Sequence, residues 1–513
     1  MMKRKGLFSL GNRIIFYIFN FFIFLTLYFA IASPNLTLGD TPAGNRTTWI
    51  SVVFLLFLLT ISLAIFVNEK LRNVFRYIFI KRALFSSIVI FVLVILLQII
   101  FVELTHPSIG FDAGAIHSAL TDTKSRELQA YYSLSTNNIN LMLQQHYLAK
   151  FFSNSSWLLF DNINLFLVDL SAVFNTLIVA VLDRRKISNV LYIQSIWLAL
   201  FPMILVPYSD TWVLPFVSLY LLSYCIVFHS KFNGILRVFL AIIGGSVLSA
   251  SYFIKPSAII PFIAIFLVEI LYLFKKDDRR KKKYAFIILI SSLFFIVSTG
   301  ITYRYLQNAN NSETYMKIDR SRTIPAIHFI SMGMAGDGGY NKEDNLAMAA
   351  RPSKKEKVEY SKRKINQRLA RMGIFGYIKF LFHKQNKNSS DGSFAWLIEG
   401  HFMSAKVASK GLKAFVQSFV YPNGKHLADF RYIAQFWWII WLFIIAFGWR
   451  YRTKFSQVLR LAIVGGFLYL LIFEGGRSRY MIQFLPVYII VASLALNDVV
   501  EMIGEKMSWL KEE

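Results

Sequence analysis

Residues 83–102 read ALFSSIVIFVLVILLQIIFV, a run with no formal charge. At 1.5 Å per residue, a helix of this length spans a hydrocarbon core of about 30 Å. Blocks of similar length recur along the 513 residues, of which 56% are hydrophobic. Shorter or alternating blocks would indicate buried strands instead. The pattern therefore predicts an all-α polytopic membrane protein.

We predict about 12 transmembrane helices from these blocks. The first is read as an uncleaved span because its apolar run continues to about Ala32 without a clear small-residue cleavage site. The predicted helices lie near residues 13–32, 49–67, 83–103, 158–182, 188–206, 211–229, 236–253, 256–274, 284–302, 433–449, 456–474 and 481–499. They divide the chain into two extra N-terminal helices at 1–82, a transmembrane core at 83–302 with a first outer loop at 104–157, an extracytoplasmic loop domain at 303–432, and C-terminal helices at 433–513.

The formal charge of +27 is spread over short loops between the apolar blocks. Alternate loops are basic, such as Arg184-Arg185-Lys186 and the run 275–283. The short loop 33–48 has a single basic residue, Arg46. Because positive loops stay in the cytoplasm, this pattern predicts a multi-pass protein of the cell membrane with both termini cytoplasmic. We reject a nucleic-acid partner, since the charge does not belong to one soluble module.

Two segments predicted on the outer side are amphipathic and too short or too polar to span. Residues 371–383 are apolar on one side with basic edges, and residues 137–152 include Gln144, Gln145 and His146. Polar groups such as these are costly in the middle of a bilayer. Both segments are therefore predicted as interfacial helices lying on the membrane.

Charged residues follow several predicted helices at their outer ends. Ionisable groups at this depth are expensive unless they serve a site or reach interfacial water. A carboxylate could act as the general base for an acceptor hydroxyl, and cations could bind a departing phosphate. This position at the lipid interface indicates a lipid-linked phosphate whose tail stays in the bilayer. The candidates are Asp112, Asp210, Lys255, Arg477 and Arg479.

Each candidate also has a purely structural interpretation. Asp112 lies in Gly-Phe-Asp-Ala-Gly, which suits a turn, and Asp210 could cap the following helix. Lys255 could extend to the interface, and Arg477 with Arg479 could anchor the last span at lipid headgroups. The histidines show no metal-ligand spacing. No cofactor is predicted, although a divalent metal held between Asp112 and Asp210 is an alternative.

Several short motifs carry a family resemblance. They are Asp112 early in the first outer loop, Tyr132 to Asn138, Tyr-Ser-Asp-Thr at 208–211, Ile-Lys-Pro at 254–256, and Glu-x-x-Arg-x-Arg-Tyr from Glu474 to Tyr480. In order and sidedness, the chain resembles GT-C-type membrane glycosyltransferases, which include the protein mannosyltransferases and the aminoarabinose transferase of lipid A. It also resembles a set of uncharacterised, mostly Gram-positive, integral membrane proteins that share motifs at 328–333, 338–341 and 391–394. Two helices precede the usual first helix of the fold, and the His-Pro-Pro-Leu type motif of the protein mannosyltransferases is missing.

The resemblance implies a GT-C-like fold and a transferase that uses a polyprenyl-phosphate sugar donor. Asp112 would be the catalytic base and Asp210 would orient the acceptor or the sugar. Lys255 and Arg479, helped by Arg477, would hold the donor phosphate. The loop 303–432 would cap the site and choose the acceptor, which could be a cell-wall polymer or a lipid-linked glycan. Further residues implied at the acceptor side or the lid are Tyr208, Glu474, Tyr480 and Asp391.

Two other classes of protein share parts of this pattern. A polysaccharide polymerase or ligase also has many spans, a large outer loop and outward-facing arginines. A flippase or transporter would show repeat symmetry or charged, broken helices at the midplane. The early Asp112 and the Tyr-Ser-Asp-Thr sequence favour the transferase.

Overall fold

The computed structural model describes residues 2–40, 46–275, 282–398 and 402–506, and every regular element in these ranges is helical. Eleven helices in them are long and apolar enough to cross a membrane. The predicted all-α polytopic architecture is therefore confirmed. Most of the basic run predicted at 275–283 lies outside the described residues.

The described helices follow one another in three groups along the chain. The first group and the first outer segment contain α1 Met2–Ile31, α2 Trp49–Val67, α3 Glu69–Arg76, α4 Ala83–Thr105, α5 Phe111–Ser118, α6 Arg126–Leu134 and α7 Ile139–Phe152. The following group contains α8 Trp157–Leu182, α9 Ile187–Ala199, α10 Ser209–Trp212, α11 Leu214–His229, α12 Gly234–Ile254, α13 Ile260–Leu273 and α14 Lys282–Asn311. The large outer segment and the C-terminal group contain α15 Ala326–Met332, α16 Lys342–Ala350, α17 Lys354–Ser389, α18 Gly411–Val420, α19 Leu427–Phe447, α20 Lys454–Ile472 and α21 Leu485–Lys506.

The helix predicted at 188–206 is shorter than expected. Helix α9 ends at Ala199, and a 3-10 turn at Pro202–Leu205 follows. Pro202 cannot donate a backbone hydrogen bond, so the helix breaks before it. The carbonyls freed by the break are satisfied by the buried side chain of Asn164 in α8, whose Nδ2 donates to Met203, Ile204 and Val206.

The segment 187–208 nevertheless joins the two ends of the helix bundle. At one end, the Tyr192 hydroxyl in α9 donates to the carbonyl of Ala83 at the start of α4, at 3.1 Å. At the other end, the Tyr208 hydroxyl donates to Asp112, just beyond the last residue of α4. The chain thus runs from one end of the bundle to the other here as a short helix followed by irregular backbone, in addition to the eleven candidate spans.

Both described ends of the chain lie at the same end of the bundle. Phe8 in α1 packs edge-on against Tyr272 in α13, with ring centroids 5.0 Å apart. The ammonium of Lys454 lies 5.1 Å from the centre of that Tyr272 ring. Arg450, four residues before Lys454, pairs with Glu505 near the end of α21 at 3.1 Å. An even number of crossings agrees with this arrangement, while the cytoplasmic assignment stays a prediction.

The two N-terminal helices associate with the C-terminal group. Phe22 of α1 stacks on Phe467 of α20, with ring centroids 5.4 Å apart. Helix α2 is almost entirely exposed along its length. Its first turn is fixed by Asp429 of α19, which accepts hydrogen bonds from the Thr48 amide and the Ser51 hydroxyl. Helix α19 begins at Leu427, six residues before the predicted start, and this brings Asp429 into the helix.

The segment predicted as an interfacial helix at 371–383 belongs to α17. Gly373 interrupts this helix with a φ of +60°, a conformation that favours glycine. Immediately after the break, Ile374 and Phe375 are 79% and 87% exposed. Further along, Phe382 packs edge-on against Phe21 of the transmembrane helix α1. The second half of α17 therefore lies beside a membrane span, with an apolar elbow projecting from the protein.

Candidate functional site

Asp112 lies in the first turn of α5 and accepts two tyrosine hydrogen bonds. The hydroxyl of Tyr131 donates to one carboxylate oxygen at 2.7 Å, and the hydroxyl of Tyr208 donates to the other at 3.2 Å. Asn138 connects the two tyrosines, since its Nδ2 donates to Tyr131 and its Oδ1 accepts from Tyr208. The carboxylate is thus held in one orientation by three residues from separate elements.

The backbone around Asp112 is fixed by contacts that only certain residues permit. The amide of Gly110 donates to the carbonyl of Phe402 at 2.8 Å, so the two segments predicted to be outside contact each other. A Cβ at Gly114 would lie 2.6 Å from the carbonyl oxygen of Ile109, which is too close for any side chain. Gly114 of Gly-Phe-Asp-Ala-Gly is therefore required by close packing, and Asp112 itself lies in helix α5 and not in an isolated turn.

Asp210 lies in the first turn of α10 and pairs with two cations. Its Oδ1 lies 2.6 Å from Nζ of Lys255, and its Oδ2 lies 3.4 Å from Nε of Arg479. Only 3% of Asp210 is exposed, whereas the side chains of Lys255 and Arg479 are 12% and 17% exposed. The carboxylate is buried behind the two cations, which retain access to solvent.

Lys255 and Arg479 have more N–H donors than Asp210 uses. An ammonium has three N–H donors and a guanidinium has five. Among the described residues, Lys255 hydrogen-bonds Asp210 alone, and Arg479 contacts this carboxylate at ion-pair distance without a good hydrogen bond. The remaining donors are available to an anionic ligand.

The position of Asp210 depends on the neighbouring helix α7. The Gln145 side chain donates to the carbonyl of Pro207 at 2.8 Å, and Trp212 donates from its indole nitrogen to Gln144 at 3.0 Å. The two glutamines thus hold the backbone on both sides of Asp210. Because Tyr208 of the same turn bonds Asp112, the two aspartates belong to one connected cluster.

Tyr480 and Glu474 complete the cluster. The Tyr480 hydroxyl donates to Glu474 at 2.7 Å, while its ring faces the cations of Lys255 and Arg479, with centroid distances of 5.6 and 5.2 Å. Burial raises the pKa of Glu474, and the nearby Asp112 charge adds to this effect. The hydrogen bond from Tyr480 and the charge of Arg479 oppose it.

A buried lysine supports the loop that carries Glu474. Lys384 of α17 donates to the carbonyls of Gly333, Leu471 and Phe473 at 2.6, 3.1 and 2.6 Å. Burial lowers its pKa to about 7. Asn388, one turn further, accepts from the amide of Gly476, which has a φ of +74°. Helix α17 therefore fixes the backbone between α20 and Arg479.

Both tyrosines beside Asp112 remain proton donors. Burial raises the pKa of Tyr131 and of Tyr208 well above the usual value, and the Asp112 charge raises both further. A tyrosine that keeps its proton donates to a carboxylate that has none. Each oxygen of the Asp112 carboxylate therefore accepts a hydrogen bond from a tyrosine hydroxyl.

The remaining predicted residues lie at the edge of this cluster. Asp391 accepts hydrogen bonds from Asn35 and from its own turn, at Ser393 and Ala395, and a longer one of 3.4 Å from Ser478. It therefore shapes the loop beside Arg479. Arg477 lies close enough to Glu474 to lower the pKa of that carboxyl. The structure brings together Asp112, Tyr208, Asp210, Lys255, Glu474, Arg479 and Tyr480.

Metal ligation was an alternative for the two aspartates. In the part of the chain that the structure describes, no group of three or more His, Cys, Asp or Glu residues could hold a metal ion. The contacts of Asp112 are tyrosines, and those of Asp210 are cations, so each carboxylate already has protein partners.

Three supporting residues were not predicted from the sequence. Tyr131 and Tyr132 are adjacent, so the sequence does not show which of the two hydroxyls reaches Asp112. In the structure Tyr132 is fully buried, and Tyr131 makes the contact. Asn138 was noted only as part of a motif. Lys384 lies in the polar run 383–390 that follows an apolar stretch, and only its three carbonyl partners distinguish it from a surface lysine.

A protein family described as conserved hypothetical integral membrane protein matches residues 7–500 of the chain. No curated protein and no solved structure matches the chain at a significant level.

Proposed function

We propose that this chain, which belongs to the family of conserved hypothetical integral membrane proteins, is a GT-C-type glycosyltransferase. In this proposal it moves a sugar from a polyprenyl-phosphate donor to a cell-wall polymer or a lipid-linked glycan on the extracytoplasmic side. One observation carries the proposal. Two partly exposed cations, Lys255 and Arg479, stand beside a carboxylate, Asp112, that two tyrosines orient.

The chemistry needs both charges. The acceptor hydroxyl would bond to the anomeric carbon as the bond between that carbon and the phosphate oxygen breaks. Asp112 would take the hydroxyl proton as general base. The leaving polyprenyl phosphate would carry away the bonding electron pair, and Lys255 and Arg479 would stabilise its charge. A single displacement of this kind inverts the anomeric centre.

The location of the cluster supports a lipid-linked donor. Lys255 follows the last residue of α12, and Arg479 lies in the 3-10 turn that opens the last candidate span. Groups at the ends of spans meet the headgroup region of a bilayer, where a polyprenyl phosphate would present its sugar. Asp210 would keep the two cations at a fixed separation until a phosphate competes for their free donors.

The large outer segment is suited to bind the acceptor. The Tyr315 hydroxyl donates to the carbonyl of Ala119, and the Asp319 amide donates to the hydroxyl oxygen of Ser133, so this segment packs directly on the elements around Asp112. Its helix α17 also holds the Glu474 loop through Lys384. An acceptor bound by this segment would lie next to the proposed base.

The experiment uses the purified full-length protein with a panel of polyprenyl-phosphate hexoses, and it measures the release of polyprenyl phosphate. Lys255→Met should weaken donor use at least tenfold, because one charge-assisted hydrogen bond is worth about 1.5–3 kcal/mol. Lys362→Met, at an exposed lysine of α17, is the matched control. Failure of the wild-type protein to consume any donor would contradict the proposal. An unchanged donor affinity in Lys255→Met would show that Lys255 does not bind the donor phosphate.

A further inference from the structure

Two arginines at the opposite end of the bundle, Arg452 and Arg460, have no counter-ion among the described residues. Arg460 of α20 is 2% exposed, and its Nη2 donates to the carbonyl of Tyr451 at 2.8 Å. Its Nε and Nη1 have no hydrogen-bond partner. No carboxylate among the described residues lies within ion-pair distance of Arg460 or of the exposed Arg452. A buried charge without a partner is costly, so this pair requires an explanation.

Two other basic side chains at this end are paired with acids. Lys454 lies 2.6 Å from Glu269, and Arg185 lies 3.0 Å from Asp183. Arg452 is close enough to act electrostatically on Arg460, and two like charges repel each other.

Helix α1 provides an aromatic wall for both guanidinium groups. The Cζ of Arg452 lies 4.8 Å from the centre of the Phe16 ring, and the Cζ of Arg460 lies 5.6 Å from the centre of the Phe19 ring. These phenylalanines are three residues apart and share one face of α1. Trp449 lies on the other side of Arg452, at 5.8 Å. The arginines are therefore held between α1 and the loop that joins α19 to α20.

We propose that Arg452 and Arg460 form a binding site for a phosphate group, supplied by the headgroup of an anionic membrane lipid. The exposed guanidinium of Arg452 would bind the phosphate through paired N–H donors, a geometry that arginine matches better than lysine. Arg460, behind it, would contribute the second positive charge. Phe16 and Trp449 would contact the apolar part of the lipid beside the headgroup.

The location fits a lipid better than a soluble ligand. Helix α20 begins at Lys454, so Arg452 lies at the boundary of a candidate span. Basic pockets between transmembrane helices bind anionic headgroups in this region. Arg452 precedes the first residue of α20, and the loop that leads to Arg479 follows its last residue, so the inference does not depend on the proposed glycosyl transfer.

The test measures lipid binding to the purified full-length protein in detergent by native mass spectrometry. Phosphatidylglycerol should bind more tightly than phosphatidylcholine. Arg452→Ala should weaken phosphatidylglycerol binding about tenfold without loss of folded protein, because the side chain is exposed. The matched control is Arg76→Ala, at another exposed arginine of the same end of the bundle, and it should bind as the wild type does.

Arg460→Lys is a second variant that keeps the charge and a donor for the Tyr451 carbonyl. It should weaken binding less than Arg452→Ala does. Inorganic phosphate tested alone distinguishes the sources: protection from thermal unfolding that disappears in Arg452→Ala would assign the site to free phosphate. Equal loss of lipid in Arg452→Ala and Arg76→Ala, or equal binding of the two lipids, would overturn the proposal.

Discussion

Asp210 shows how one buried side chain can organise a site. It pairs with Lys255 and Arg479 at the same time, and both cations keep further N–H donors. Removing the carboxylate would leave two partly buried cations uncompensated, and breaking a buried ion pair costs about 3–5 kcal/mol. A substitution of Asp210 would therefore change the stability of the protein as well as its activity, and the two effects could not be separated. Lys255 is the better residue for a functional test, since Arg479 would still neutralise Asp210.

His328 in α15 provides a prediction about pH. Its side chain is buried, and neither ring nitrogen has a hydrogen-bond partner. Burial lowers its pKa from 6.5 to about 4, so the folded protein holds it neutral in mildly acidic solution. The unfolded chain binds more protons between these two values, and stability therefore falls as the pH falls from about 6.5 to about 4. The full effect is about 3 kcal/mol.

Limited proteolysis of the large outer segment at several pH values measures this effect. The wild type should become easier to cleave near His328 as the pH falls toward 4. His328→Leu, which stays neutral and apolar at every pH, should show a weaker dependence. An identical pH dependence in the two proteins would mean that other groups cause the change.

At the scale of single elements, the elbow of α17 predicts contact with lipid. Ile374 and Phe375 follow the break at Gly373 and are largely exposed, with Arg371 and Lys379 nearby in sequence. Exposed apolar side chains with flanking basic residues are typical of segments that enter the headgroup region. A Phe375→Trp variant in liposomes should be strongly quenched by lipids brominated on their acyl chains.

The control for this measurement is a tryptophan at a polar, exposed position of the same helix. Lys355→Trp lies in the basic first half of α17 and should be quenched less. Equal quenching at the two positions would contradict an elbow that enters the bilayer.

The sequence predicts some elements better than others, for physical reasons. A long uncharged run such as 83–102 is expected to form a transmembrane helix, and α4 Ala83–Thr105 agrees with this expectation. The break at Pro202 was missed because the surrounding residues are as apolar as a span, and its stability depends on Asn164 in another helix. The early start of α19 could not be predicted because a carboxylate at position 429 is typical of a loop beside a span. Its place in the helix depends on hydrogen bonds from Thr48 and Ser51, which are distant in sequence.

At the scale of the whole molecule, the proximity of the candidate residues could be predicted only in part. Asp112, Asp210, Lys255 and Arg479 were expected together because each follows a span on the same side. Their pairing could not be predicted, since no local pattern shows that Asp210 binds both cations while Asp112 binds two tyrosines. The carbonyl contacts of Lys384 depend on three separate segments and have no local signal.

The orientation in the membrane gives a prediction at the scale of the whole molecule. The native Cys225 is buried, so a new surface cysteine can be labelled without background. Lys362→Cys in the large outer segment should react with an impermeant maleimide on intact cells. Arg185→Cys, an exposed residue at the opposite end of the bundle, should react only after lysis. The reverse pattern would invert the proposed topology and put the cluster on the cytoplasmic side.

The most direct measurement of the central claim compares sugar transfer by the wild type and by Asp112→Asn, with a donor that the wild type consumes. The account predicts a rate at least a hundredfold lower in Asp112→Asn, because the amide cannot take the acceptor proton. Glu127→Gln, an exposed carboxyl of the same outer segment, should transfer at the wild-type rate. Transfer by folded Asp112→Asn within about twofold of the wild type would contradict the claim that this carboxylate is the base.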